Sequence, residues 1–182
     1  MRLLTLTLAL VFAAGTVLAA EKAYQKASDF TLKDVSGKSI TLSKLLENGP
    51  VYIECWDLPC VNCIAELDAL MPVYDTLKAR GLQIIALSVD KPSDEARVKA
   101  FVKSKKWPYY VLLDQQNKVK KDYGIIIKPT AYLVNTKGEI VYTHIGYKKG
   151  DEKKIKAEFL KWLPEAPVDD VKEEKPAKGK DE

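Results

Sequence analysis

Two rhythms of apolar residues alternate along this chain. After the turn signal Asn48-Gly49-Pro50, the run YIECW over residues 52–56 reads as a buried strand. From Cys63 the spacing changes to threes and fours. Ile64, Leu67, Leu70, Met71, Tyr74 and Leu77 then fall on one face of a helix. Lys78, Arg80 and Gly81 close that helix, and Pro72 removes an interior hydrogen bond, so a bend is expected near its middle. The near-continuous run LQIIALSVD marks a strand covered on both faces. Strand, helix and strand in this order make a right-handed βαβ unit with a parallel pair.

Downstream, a helix is expected over residues 93–105, with Ala96, Val98, Ala100, Phe101 and Val102 available for packing. A short strand over 109–113 and a short helix over 119–123 follow. TAYLVN, the turn Thr136-Lys137-Gly138 and EIVYTHIG form an antiparallel hairpin. A last amphipathic helix over 152–163 buries Ile155, Phe159, Leu160 and Trp162. Upstream, FTLKDVSGKSITL turns at Ser36-Gly37 as a second hairpin, before a short helix around Leu45. The sum is a layered α/β domain over residues 21–163, ample for an independent core.

Composition narrows the class. Of the 182 residues, 47% are apolar and 30% charged, which excludes collagen-like, mucin-like and wholly disordered chains. Residues 1–20 combine a positive start, an apolar stretch from Leu3 to Ala14 and small residues after it. That pattern predicts a secretory signal cut after Ala19 or Ala20; left uncleaved, it would act as a membrane anchor. At the other end PEAPVDDVKEEKPAKGKDE offers no apolar face, so residues 164–182 read as a disordered charged tail. The protein is therefore expected in the periplasm or secreted, where thiols meet an oxidising environment. The net charge is +4, but the lysines are scattered over several segments, and no nucleic acid partner is expected.

Three cysteines are too few for a disulfide scaffold, and with one histidine a rich metal cluster is not expected. Two of them are informative. Cys60-Val61-Asn62-Cys63 directly follows a strand and opens a helix, which brings two sulfurs within bonding reach. The first thiol lies over unpaired backbone N–H groups, and these with the helix dipole favour the thiolate that attacks disulfides. Pro59 helps define where the helix starts. A structural bridge, or a zinc site from Cys55, Cys60, Cys63 and His144, are the other readings of the same residues. The bridge would close too short a loop to stabilise much, and the zinc site lacks a second closely spaced pair.

At this point the sequence resembles the thioredoxin superfamily, specifically the exported thiol–disulfide oxidoreductases of the TlpA/ResA type. The likeness is carried by ASDFTLKDVSGKSITLSKL, VYIECW, the C-x-x-C, Glu66, KPTAYLVNTKGEIV and Gly146, in that order. It implies a mixed central sheet flanked by helices, with an N-terminal β-hairpin and an inserted helix-strand segment. It also implies that Cys60 is the exposed nucleophile, Cys63 the resolving thiol, and Pro129 a cis proline facing the disulfide. Departures are visible: Pro59 stands where the family usually has Trp, Ile127-Lys128 where Gly-x often precedes the proline, and Asp68 where a proline often follows the acid.

Glu54 matches the place of the buried acid in thioredoxins, and on an alternating strand it shares a face with Tyr52 and Trp56. A functional Glu54 would lie beneath the site with a raised pKa and exchange a proton with Cys63; a solvated edge position is the alternative. Glu66, one turn after Cys63, is implied to tune the cysteine pair, against a solvated helix face. Trp56, Lys128, Pro129 and Thr130 are expected to line the substrate groove, although packing beside the site is the plainer reading for Trp56. Lys128 is further expected to bring its ammonium toward the Cys60 thiolate, unless its long side chain reaches into solvent. Cys55 reads as a small buried hydrophobe and His144 as a hydrogen-bonded structural residue.

The resemblance implies an enzyme that reduces disulfides of exported proteins, with apocytochrome c a candidate substrate. A membrane electron donor would recharge it. No cofactor beyond the Cys60–Cys63 disulfide and no metal is expected. Two other classes use the same residues: a thiol peroxidase, and a copper-binding chaperone. Peroxidases of this fold carry Thr three residues before their reactive Cys, where Asp57 stands here.

Overall fold

The computed structural model describes residues 23–165. The expected signal, and all of the expected tail beyond residue 165, lie outside the described residues.

A six-stranded mixed sheet forms the centre, in the order β1-β8-β7-β4-β5-β6. Strand β4 (Val51–Trp56) is its axis, parallel to β5 (Gln83–Ser88) and antiparallel to β7 (Thr130–Val134). All six residues of β4 are buried, which explains why its sequence runs apolar apart from Glu54. The sheet continues through β6 (Tyr110–Leu113), parallel to β5, and β8 (Glu139–Ile145), antiparallel to β7. The expected βαβ unit and the closing hairpin are both present.

Side-chain alternation along β4 sorts the two faces. Tyr52 and Trp56 point into one core with α2 (Val61–Leu77), α3 (Glu95–Lys105) and α5 (Asp151–Trp162). Val51 and Ile53 join a second core with α1 (Leu42–Leu46), α4 (Lys118–Asp122) and the N-terminal hairpin, β2 (Thr31–Lys33) and β3 (Ser39–Thr41). That hairpin leans on the β6 edge, where Asp34 bridges to Leu112 and the Val35 N–H donates to the Val111 carbonyl at 3.1 Å. Helix α2 runs on through Pro72 and ends in a short 3-10 turn, Lys78–Arg80, at Gly81 with φ 96°. There a Cβ would come within 2.6 Å of the Asn48 carbonyl oxygen, so the turns that lead into β4 and β5 can cross only over glycine.

The structure departs from the sequence reading in a few places. Strand β1 (Gln25–Lys26) is an addition: two polar residues pair with Ile140 and Glu139 at the free edge of β8. Leu160 was expected inside but is 42% exposed, because Ile155 and Phe159 already fill the inner face of α5. Ala96 and Ala100 also lie exposed, and α3 packs through Val98 and Val102. No helix among the described residues is long and apolar enough to cross a membrane.

Candidate active site

The parallel strand β4 delivers the chain into a tight turn, Asp57-Leu58-Pro59-Cys60, where the Cys60 N–H donates to the Asp57 carbonyl at 3.0 Å. Cys60 is the N-cap of α2, and its Sγ accepts the Cys63 N–H at 3.3 Å. The two cysteines are joined in a disulfide with Cα atoms 5.3 Å apart. Their environments differ sharply. Cys60 is half-buried beside exposed Val61 and Asn62, whereas Cys63 is fully buried with its Sγ 3.6 Å from the Cys55 carbonyl oxygen. Once the bond opens, the outer sulfur sits on the positive pole of a 17-residue helix within reach of solvent, whereas the inner one is buried beneath it.

Two carboxyl groups lie in the core behind this pair. Glu54 is fully buried, and neither of its oxygens has a protein hydrogen-bond partner. Burial, and then the nearby Glu66 charge, push its pKa well above the ordinary carboxylate range. Glu66, on α2 one turn past Cys63, is also fully buried. It accepts a 2.7 Å hydrogen bond from the Tyr52 hydroxyl through Oε1, while Oε2 is unpartnered. Burial pushes the Glu66 carboxyl up to about 7, the Tyr52 bond pulling the other way and the Asp151 charge adding to the rise. The solvated alternatives for both acids are thus excluded. Tyr52 was not singled out from sequence, although its place two residues before Glu54 put it on the same face.

The Lys128–Pro129 peptide is cis, as the resemblance implied. The Pro129 carbonyl accepts the Gly146 N–H at 2.8 Å, which ties this loop to the end of β8. Three expectations for the groove need correction. Trp56 is fully buried in an aromatic cluster, edge-on to Trp107 at 5.0 Å and 5.8 Å from Phe101, so its indole is removed from any substrate contact. Thr130 is 4% exposed and its hydroxyl donates to the Ile127 carbonyl at 2.7 Å, which makes it a brace of the loop. The ammonium of Lys128 goes neither to Cys60 nor to open solvent: it forms an ion pair with Asp57. Asp57 was the residue missed, because nothing in local spacing joins positions 57 and 128.

Cys55, on the opposite face of β4 from Glu54, is a free and fully buried thiol packed with Val89 and Ile125. Burial pushes it up to about 12. It should therefore resist thiol reagents in the folded, oxidised protein and give one reactive thiol on denaturation. Fast labelling of Cys55 in the native state would contradict that placement. His144 stacks on Tyr142 and meets its hydroxyl through Nδ1 at 3.3 Å, and burial lowers its pKa, in keeping with a structural histidine. Among the described residues no three His, Cys, Asp or Glu side chains gather into a group that could hold a metal.

Comparison with known proteins agrees with this geometry. Residues 23–143 match the AhpC/TSA family. The thiol-disulfide oxidoreductase ResA of Halalkalibacterium halodurans is 33% identical over 146 residues, 80% of each chain. The crystal structure of StoA from Bacillus subtilis superposes with a TM-score of 0.61 at 26% identity, covering 72% of this chain and 96% of that one. The thioredoxin domain of a Bacteroides vulgatus thiol-disulfide oxidoreductase shares the fold, with a TM-score of 0.62 at 22% identity over 76% of this chain and 99% of its own. A peroxidase fits less well, since Asp57, bound to Lys128, occupies the place of the peroxidase threonine. The chain belongs to the AhpC/TSA family and, within it, to the thiol–disulfide oxidoreductases of the ResA type.

Proposed function

We propose that the protein works outside the cytoplasm as a reductant, using the Cys60–Cys63 dithiol to open disulfides of exported proteins. The observation that carries this reading is the asymmetry of the pair: a half-buried sulfur at the head of a long helix, bonded to a fully buried one. In the reduced protein the Cys60 thiolate attacks a substrate disulfide and expels one substrate thiolate, which takes a proton from water. Cys63 then gives its proton to the carboxyl pair of Glu54 and Glu66 and attacks the Cys60 sulfur. The second substrate thiolate leaves, and the Cys60–Cys63 disulfide remains. A buried acid whose pKa is raised toward neutrality is suited to hold that proton for the next cycle.

In this reading the cis-Pro129 loop walls the substrate groove, and the exposure of Ile126 and Ile127 on that loop supports it by offering apolar surface to a partner. The reading of residues 1–20 as a secretory signal supports export, with the protein periplasmic or secreted, or anchored if the segment is uncut. Apocytochrome c is a candidate substrate, and a membrane electron donor returns the disulfide to the dithiol. No cofactor is required, because the cysteine pair carries both electrons.

The reduction potential of the Cys60–Cys63 couple tests the direction. A value near about −270 mV or below is expected of a reductant. A value near about −120 mV would make the protein an oxidant and reverse the assignment.

A further inference from the structure

Asp57 and Lys128 join the turn that carries Cys60 to the cis-proline loop. Asp57 opens the turn whose fourth residue is Cys60, and its carbonyl accepts the Cys60 N–H. Lys128 forms the cis peptide with Pro129. Their side chains are only 17% and 25% exposed, so their charges are screened less than those of a surface pair. Both charges act on the sulfur-bearing region: at the buried Cys55 thiol, Lys128 pulls the pKa down and Asp57 pushes it up. The turn is otherwise held by Asp90, whose carboxylate accepts the Leu58 N–H at 3.1 Å and the Ser88 hydroxyl at 3.0 Å.

We propose that the Asp57–Lys128 ion pair is a positioning element for the reaction, latching the cis-proline loop to the Cys60 turn and balancing two opposite charges beside the nucleophile. With both partners present, the Cys60 thiolate feels mainly the pole of α2. With Asp57 neutral, the unpaired ammonium adds to that pole and stabilises the thiolate. With Lys128 neutral, the unpaired carboxylate opposes it. The other charged or titratable groups facing this region are Cys55 and Glu54 from β4, Cys63 and Glu66 on α2, Lys120 on α4, Asp114 after β6, and Asp90, Lys91, Asp94 and Arg97 along the neighbouring groove. They are the same in every variant, so their effect cancels in the comparison. The proposal rests on the Cys60–Cys63 couple being the working centre, but it can fail while that reading stands.

The test is the pH dependence of Cys60 alkylation in the reduced full-length protein, with adducts mapped to Cys60 by mass spectrometry. Asp57→Asn and Lys128→Gln each keep a hydrogen-bonding group in place of the charge. The midpoint should fall by about half a unit or more in Asp57→Asn and rise by a similar amount in Lys128→Gln. It should return close to wild type in the double variant, and Lys128→Arg should leave it there. The reduction potential should follow, more oxidising in Asp57→Asn and more reducing in Lys128→Gln. Equal activity losses with unmoved midpoints, or shifts of the same sign, would overturn the proposal and leave a plain structural clamp. Asp57→Asn alone decides the sign if Lys128→Gln does not fold.

Discussion

Cys60→Ser lowers multiple-turnover reduction of insulin disulfides by more than about a hundredfold, to the rate of uncatalysed exchange. Cys63→Ser also stops turnover, but for a different reason. Cys60 is the half-buried member at the helix head and can still attack once. Without Cys63 no internal thiol releases the adduct, so the protein accumulates as a mixed disulfide with its substrate. Cys55 offers no substitute. It is fully buried, on the other face of β4 from Glu54, and burial holds its thiol at a pKa of about 12. Full multiple-turnover activity in Cys63→Ser would show that a two-cysteine cycle is not used.

Glu66→Gln is expected to stabilise the protein at alkaline pH while slowing the release step. Burial raises the folded-state pKa of Glu66 from an ordinary value near 4.5 to about 7. A raised carboxyl favours the neutral form. Its contribution is therefore intact below about pH 4.5 and is lost as the pH climbs through about 7. At about 1.4 kcal/mol per unit, the cost above that range is roughly 3 kcal/mol. Gln keeps an oxygen for the Tyr52 hydroxyl and removes the ionisation, and it relieves Glu54 of a neighbouring charge. For a domain of this size the melting temperature at pH 8 should rise by about 6 °C or more, with little change at pH 4. The rate of Cys63 attack should fall, because part of its proton acceptor is gone. A stability difference of the same size at pH 4 and pH 8 would place the effect in packing instead of ionisation.

Much of this architecture was legible because it is written in short-range patterns. The βαβ core follows from the near-continuous apolar run of β4 after its turn signal and spacings of three and four in α2, and the C-x-x-C falls at their junction. Glu54 could be placed on the face of Tyr52, since alternation on a strand is strict. Whether that face was wet or dry could not be read there. It depends on Phe159 of α5, more than 100 residues away, packing edge-on to Tyr52 at 5.0 Å. The same limit hid the partner of Lys128, 71 positions from Asp57, and left Trp56 and Thr130 with substrate roles. Their burial is set by Trp107, Phe101 and the Ile127 carbonyl, none of which shares a periodic pattern with them. Strand β1 escaped notice because two polar residues at a sheet edge need only backbone pairing.

The most decisive experiment is capture. Full-length Cys63→Ser, with residues 1–20 in place, is expressed in an exporting cell, free thiols are blocked with acid and alkylating agent, and the adducts are mapped by mass spectrometry. Mixed disulfides linking Cys60 to cysteines of exported proteins are the expected result. Adducts on Cys55, or none at all while the wild-type protein reduces substrate, would contradict the assignment of Cys60 as the attacking thiol.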